Sequence, residues 1–156
     1  MKTGRKIVTL FSTGFYTGYF PFAPATFSTL TLGIIVYLLV SLLPPLFYGM
    51  LTLIICAVAV WLSGRAEHIF QEKDCRHIVI DELAGFLVTM FLIPRGPVYL
   101  ASGFILFRLF DIIKPPPANF FNQRKKGGLD VVLDDLIAGV YANLVLQAVR
   151  YYLSIR

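Results

Sequence analysis

Two pairs of adjacent carboxylates stand at the start of apolar runs: Asp81-Glu82 before "LAGFLVTMFLI" and Asp134-Asp135 before "LIAGVYANL". Acids favour a helix N-terminus, where unpaired N–H groups and the macrodipole stabilise negative charge by about 0.3–1 kcal/mol. One acid satisfies that need, so a second at each start exceeds what capping requires. Ionisable groups beside a long apolar segment are costly and mark a functional site. Clustered carboxylates also repel one another unless a cation neutralises them. The chain has two cysteines and two histidines, in no ligand spacing, so a hard cation with oxygen ligands is the fitting partner, Mg2+ by default. Mg2+ is usually held by one or two carboxylates, waters and substrate phosphate. The chemistry indicated is phosphate chemistry.

A third constellation is "FRLFDIIKPPP", residues 107–117. Arg108, Asp111 and Lys114 recur every three residues and lie near one helix face, until Pro115 stops the helix. They read either as an ion-pair ladder with snorkelling bases or as a carboxylate flanked by two phosphate-binding cations. The stretch "STGFYTGYFPFAPATFSTL" (12–30) sets small, hydroxyl and proline residues before a helix. Backbone amides there can hold an anion, but taken alone the segment reads as an irregular loop. Asp135, Gly139, Asn143, Gln147 and Arg150 form a polar and small stripe, repeated in Asp81, Gly85 and Thr89. Such faces pack inward, small residues allowing close backbones and amides bonding across helices. No Cys-x5-Arg, Ser-Gly-His, Asp-x-Asp or Walker lysine motif is present. What remains is a metal-activated water attacking phosphorus, positioned by carboxylates.

These residues need elements to hold them. Hydrophobic residues make up 57% and charged residues 15%, with mean hydropathy +0.74, against roughly 45–50% and about 25% in soluble domains. The composition reads as one integral membrane domain, all-α. Apolar blocks occupy 29–43, 46–62, 83–93, 98–107 and 136–153, the first two joined at Pro44-Pro45 and the middle two at "PRGP". A bilayer core of roughly 30 Å needs about 20 helical residues. The middle blocks therefore span only if they extend to Ile78–Ile93 and Val98–Ile113. A soluble bundle with buried short helices is the alternative. Lys2, Arg5 and Lys6 precede an apolar piece too short for a signal-peptide core, so the chain is expected to begin near Met1.

A net charge of +5 would suggest nucleic acid in a polar protein, but here the position of the bases matters more. They gather in the N-terminal segment, in 64–82 (Arg65, Lys73, Arg76) and in 108–135 (Arg108, Lys114, Arg124, Lys125, Lys126). The intervening turns carry only Arg95, and the far end Arg156. With four to five short helices alternating, the basic segments share the cytoplasmic side. All nine acids fall in those segments or at their edges, which supports that assignment independently.

The segments "TGFYTGYFPFAPATFSTL", "IVIDELAGF", "FRLFDIIKPPP" and "GGLDVVLDDLIAGVYA" resemble, in order and spacing, the bacterial phosphatidylglycerophosphatase A family. The resemblance runs from about residue 12 to 142. It implies a Mg2+-dependent phosphatase of the bacterial cytoplasmic membrane, converting phosphatidylglycerophosphate to phosphatidylglycerol. Motif positions carry over to Asp81, Glu82, Arg108, Asp111, Lys114, Asp134 and Asp135, and less directly to Pro24, Thr26, Glu67 and Asp74. Ala25 and Asp130 stand where the family commonly has Gly, so Asp130 reads as a local variation. On this reading Asp81, Asp134 and Asp135 hold Mg2+. Glu82 or Asp111 deprotonates the attacking water, and Arg108, Lys114 and Thr26 bind phosphate. The same chemistry on another lipid or a soluble phosphate ester is the alternative. A cation transporter ranks lower, because its acids should lie near the membrane midplane.

Overall fold

The computed structural model of the protein describes residues 2–124 and 127–155, among which there is no strand. Lys125, Lys126 and Arg156, used above to orient the chain, lie outside the described residues. The chain opens with α1, Lys2–Ser12, where the sequence showed only a short apolar piece. The segment expected as a loop then turns helical from its second half: α2 (Pro24–Ser28), a π-helical turn (Thr29–Gly33) and α3 (Ile34–Val40). Pro24 at the first helical position costs no hydrogen bond, since that N–H has no partner in any helix.

The helix break expected at Pro44-Pro45 is present, α4 (Pro45–Phe70) beginning on the second proline, but α3 and α4 do not pack along one another as the expected hairpin would. Helix α4 does not stop with the apolar block at Leu62 but continues through "SGRAEHIF". Gln71 ends it in the left-handed region (φ 56°), its side-chain amide donating to the His68 carbonyl at 2.7 Å. Among the described residues α4 is the one helix long and apolar enough to cross a membrane. Most of its apolar stretch is not covered by the rest of the protein; Leu46, Leu53 and Trp61 are exposed.

After α4 come α5 (Ile80–Thr89), α6 (Pro97–Ile113), α7 (Ala118–Arg124) and α8 (Gly128–Ile155). The expected extension to Val98–Ile113 is met by α6, but the expected helix over Ile78–Ile93 is not. With 10 residues, α5 reaches only about 15 Å. The chain turns away at Met90–Leu92, where Leu92 has φ 59°. Asn143 of α8 donates to the carbonyls of Thr89 and Phe91 at 2.8 and 2.7 Å, and Arg150 to that of Leu92 at 3.1 Å. The polar stripe on α8 thus caps the end of its neighbour. A bundle of uniformly short helices is corrected to a short central helix walled by the longer α4, α6 and α8.

The core is built on α5, whose residues from Ile80 to Leu87 are all buried. Phe86, Leu87 and Met90 pack with Phe107 of α6 and with Val132, Ala138 and Ala142 of α8. Two glycines set the α5–α8 approach. A Cβ on Gly139 would sit 2.4 Å from the Gly85 carbonyl oxygen, and one on Gly85 2.7 Å from that of Asp135. Backbone touches backbone, which only small residues allow. Gly139→Ala is expected to push α8 off α5, an overpacking cost of about 1–3 kcal/mol. Thermal unfolding in detergent micelles should show a lower Tm, and an unchanged Tm would contradict the close approach.

Candidate active site

Three helix ends meet at one pole of the bundle. The first turn of α5 brings Asp81 and Glu82, the last turns of α6 bring Arg108 and Asp111, and the second turn of α8 brings Asp134 and Asp135. All five acids are buried. Charged side chains are almost never buried unless paired, and here five carboxylates face two cations, Arg108 and Lys114.

The two acid pairs share a local design. The Asp81 carboxylate accepts the backbone N–H of Glu82 at 3.0 Å, and that of Asp134 accepts the N–H of Asp135 at 3.1 Å. Asp81 thereby satisfies an otherwise unpaired N–H in the first turn of α5, whereas Asp134-Asp135, expected at a helix start, lies inside α8, which begins at Gly128, so the Asp134 contact is not a cap. Glu82, Asp135 and Asp111 then present oxygens that all lie within 4.8 Å of one another. Arg108 bridges two of them, Nη1 lying 2.5 Å from Glu82 Oε2 and 3.1 Å from Asp111 Oδ2. The ion-pair ladder read from the sequence is present, and it stands within the candidate site.

Lys114 lies just beyond α6 in the left-handed region (φ 46°), a conformation strained for a residue with a Cβ. That turn brings its ammonium to the Asp134 carboxylate, 3.6 Å from Asp111 Oδ1 and 3.4 Å from Asn122 Oδ1. Burial works against the ammonium charge, yet Asp135, Asp134 and Asp111 outweigh it and raise its pKa above the usual lysine range.

The remaining expected residues are placed around this cluster. Thr26 is half-buried on α2, but it is Thr29, one turn on, whose hydroxyl lies 3.4 Å from Glu82 Oε2. Thr29 went unnoticed in the sequence, where the only signal was its position one turn after Thr26 in a hydroxyl-rich stretch. Glu67 accepts the backbone N–H of Asp74 at 2.9 Å and so shapes the loop after α4; Asp74 is an electrostatic neighbour of both Asp81 and Asp134. Asp130 pairs with Arg124, whose Nε lies 3.0 and 2.9 Å from its two oxygens. It ties α7 to α8, in keeping with a local variation.

The donor set fits a hard divalent cation. Glu82, Asp111 and Asp135 offer three carboxylate oxygens and no soft ligand, the oxygen chemistry that Mg2+ takes. The uncompensated negative charge of the cluster supplies the electrostatic demand. The arrangement can concentrate positive charge against a phosphate through Arg108 and Lys114 beside a carboxylate-held ion.

Comparison with known proteins agrees with this chemistry. The family model for phosphatidylglycerophosphatase A matches residues 10–150. Phosphatidylglycerophosphatase A of Escherichia coli (strain K12) is 28% identical over 92% of this chain and 83% of its own length. That of Haemophilus influenzae is 30% identical over 92% of this chain and 89% of its own length. A protein of Bacteroides thetaiotaomicron named as a putative phosphatidylinositol-3-phosphatase is 32% identical over 99% of this chain and the whole of the relative. No solved structure matches. A buried carboxylate cluster flanked by two cations, on a chain matched almost end to end by lipid phosphatases, identifies a phosphoric monoester hydrolase, and the chain belongs to the phosphatidylglycerophosphatase A family.

Proposed function

We propose that the protein removes the terminal phosphate of phosphatidylglycerophosphate to give phosphatidylglycerol, with Mg2+ as cofactor. The observation that carries this reading is the convergence of Glu82, Asp111 and Asp135 beside Arg108 and Lys114 at one pole of an apolar bundle. The bundle is embedded in the bacterial cytoplasmic membrane as a multi-pass protein. Supporting this, apolar side chains stand exposed along α3, α4, α6 and α8, among them Leu39, Leu53, Ile105 and Leu144, a surface too extensive for a soluble monomer. All nine acids lie at or near the carboxylate pole, which suits a site at the cytoplasmic edge and disfavours a midplane ion path.

Glu82, Asp111 and Asp135 hold the metal, with Asp134 fixed beside them by Lys114 and by the N–H of Asp135. When bound, Mg2+ supplies positive charge against the phosphoryl oxygens. Arg108 and Lys114 bind the remaining phosphate charge, which spreads over the equatorial oxygens during transfer. Among the described residues Asp81 and Asp135 are the buried acids of the cluster without an ion pair to Arg108 or Lys114, and of these two only Asp135 belongs to the metal-holding set. Geometry therefore favours Asp81 as the acceptor of the water proton, where the sequence pointed to Glu82 or Asp111. Water oxygen bonds to phosphorus, the phosphorus–oxygen bond to glycerol breaks, and the leaving oxygen takes up a proton from solvent. Thr29 orients Glu82 through its hydroxyl. The acyl chains remain in the bilayer while the head group enters the carboxylate pole.

The name of the Bacteroides relative favours one second reading, a phosphorylated inositol lipid as substrate. Phosphate release in detergent micelles separates the two. Turnover should be highest on phosphatidylglycerophosphate, fall to background with a chelator and return with Mg2+; faster release from phosphatidylinositol 3-phosphate would move the assignment to that head group. Activity that survives chelation would remove the metal from the reading.

A variant series assigns the residues. Asp81→Asn, Glu82→Gln and Asp135→Asn are each expected to lower kcat by about 10²–10⁴ without lowering Tm. Asp130→Asn should instead lower Tm through loss of the Arg124 pair and leave turnover within a few-fold of wild type. Near-wild-type turnover in Glu82→Gln or Asp135→Asn would refute the cluster as the catalytic centre.

A further inference from the structure

The pole opposite the carboxylates holds a cavity that the proposed reaction does not use. It has a volume of about 380 Å³, within the roughly 300–1,000 Å³ of small-molecule sites. Its walls come from α3, the start of α4, the turn after α5 and the end of α8. Two cations share it. Arg95 donates to the Ser41 carbonyl, and Arg150 donates to that of Leu92 at 3.1 Å. Each guanidinium has five N–H donors in a planar fork, so these carbonyl contacts leave donors on both for a ligand.

Among the described residues no Asp or Glu lines the cavity. All nine acids of the chain lie on the last turns of α4, the loop after it, the start of α5, the end of α6 and the first two turns of α8. The two arginines therefore have no Asp or Glu side chain with which to pair at their own pole. A second observation points the same way. Tyr37 forms part of the cavity wall and is 2% exposed, yet its hydroxyl has no hydrogen-bond partner among the described residues. A buried hydroxyl without a partner costs about 1–3 kcal/mol, and a ligand oxygen in the cavity would satisfy it.

We infer that this cavity binds the phosphodiester head group of an anionic phospholipid, held by Arg95 and Arg150 with Tyr37 as a further donor. Two guanidiniums and a hydroxyl match phosphate oxygens, which guanidinium recognises through its fork. A lipid fits better than a free ion because the rim is apolar. Leu43, Pro45 and Ile93 line the cavity, and the exposed Leu42, Leu46 and Leu92 continue it onto the uncovered faces of α3 and α4. A glycerol backbone and the first acyl carbons would lie along that rim with the phosphate between the arginines. The site differs from the catalytic one in its residues, its pole of the bundle and its lack of metal ligands.

The test measures binding of dioleoyl phosphatidylglycerol to purified full-length protein in neutral detergent, by thermal shift and native mass spectrometry, with dioleoyl phosphatidylcholine and inorganic phosphate as comparison probes. Wild-type protein should be stabilised by phosphatidylglycerol more than by either comparison probe. The Arg95→Ala/Arg150→Ala variant should need about tenfold more phosphatidylglycerol for the same shift. Phosphate release in micelles should remain at the wild-type level, which shows that the variant is folded and its catalytic pole intact. Because both arginines also tie down the turn after α5, Tyr37→Phe serves as a second variant that removes one hydroxyl only, and it too should weaken the shift. Equal shifts in wild type and both variants would overturn the site. Equal stabilisation by phosphatidylcholine would overturn anionic selection, and equal stabilisation by inorganic phosphate would overturn the lipid as the ligand.

Discussion

Five buried carboxylates against two cations is the constraint from which the architecture follows. Like charges held this close in a poorly solvated setting repel strongly, and each needs a compensating group at a fixed position. Arg108 reaches Glu82 and Asp111, and Lys114 reaches Asp111 and Asp134, but the balance stays negative. A fold that keeps such a cluster must build walls rigid enough to resist its repulsion. Here the walls are a buried central helix, α8 pressed against it backbone to backbone, and α6 packed on it through side chains.

The same interactions that hold the site also terminate the elements. At α5, Asp81 spends one oxygen on the N–H of Glu82, so helix capping and inward display are achieved together. Lys114 ends α6 in a strained conformation whose return is contact with Asp134 and Asp111. At the other pole Asn143 closes α5 from a neighbouring helix. The polar stripe on α8 thus serves opposite tasks at its two ends, charge at one and carbonyl satisfaction at the other.

Much of the site was legible in the sequence because its residue types are expensive where they stand. Asp81-Glu82 and Asp134-Asp135 beside apolar runs, and Arg108, Asp111 and Lys114 at three-residue spacing, declared themselves by cost and periodicity. Their division of labour was not legible. Which acid of each pair turns inward depends on the helix phase at α5 and α8, and spacing alone does not give that phase. Thr29 was missed because a hydroxyl in a run of hydroxyls carries no such signal. Among the elements, the helix break at Pro44-Pro45 was plain from its prolines, whereas the early end of α5 was not. That end is set by side chains more than 50 positions away, from Asn143 and Arg150, and no local pattern records them. The helix α1 escaped because its turns mix polar and apolar residues over too short a length to stand out.

The glycine contact between α5 and α8 has a consequence for how such a site can change over time. Because Gly85 and Gly139 meet backbone to backbone, the spacing between the two acid pairs does not respond to side-chain substitution around it. The leg that carries Arg108, Asp111 and Lys114 is different. It rests on α5 through Phe107 and Met90, whose side chains can be exchanged for others of different volume. Substitution at Phe107 or Met90 can therefore shift α6 while the α5–α8 frame stays constant. The centre behaves like a vice with one fixed jaw and one movable jaw.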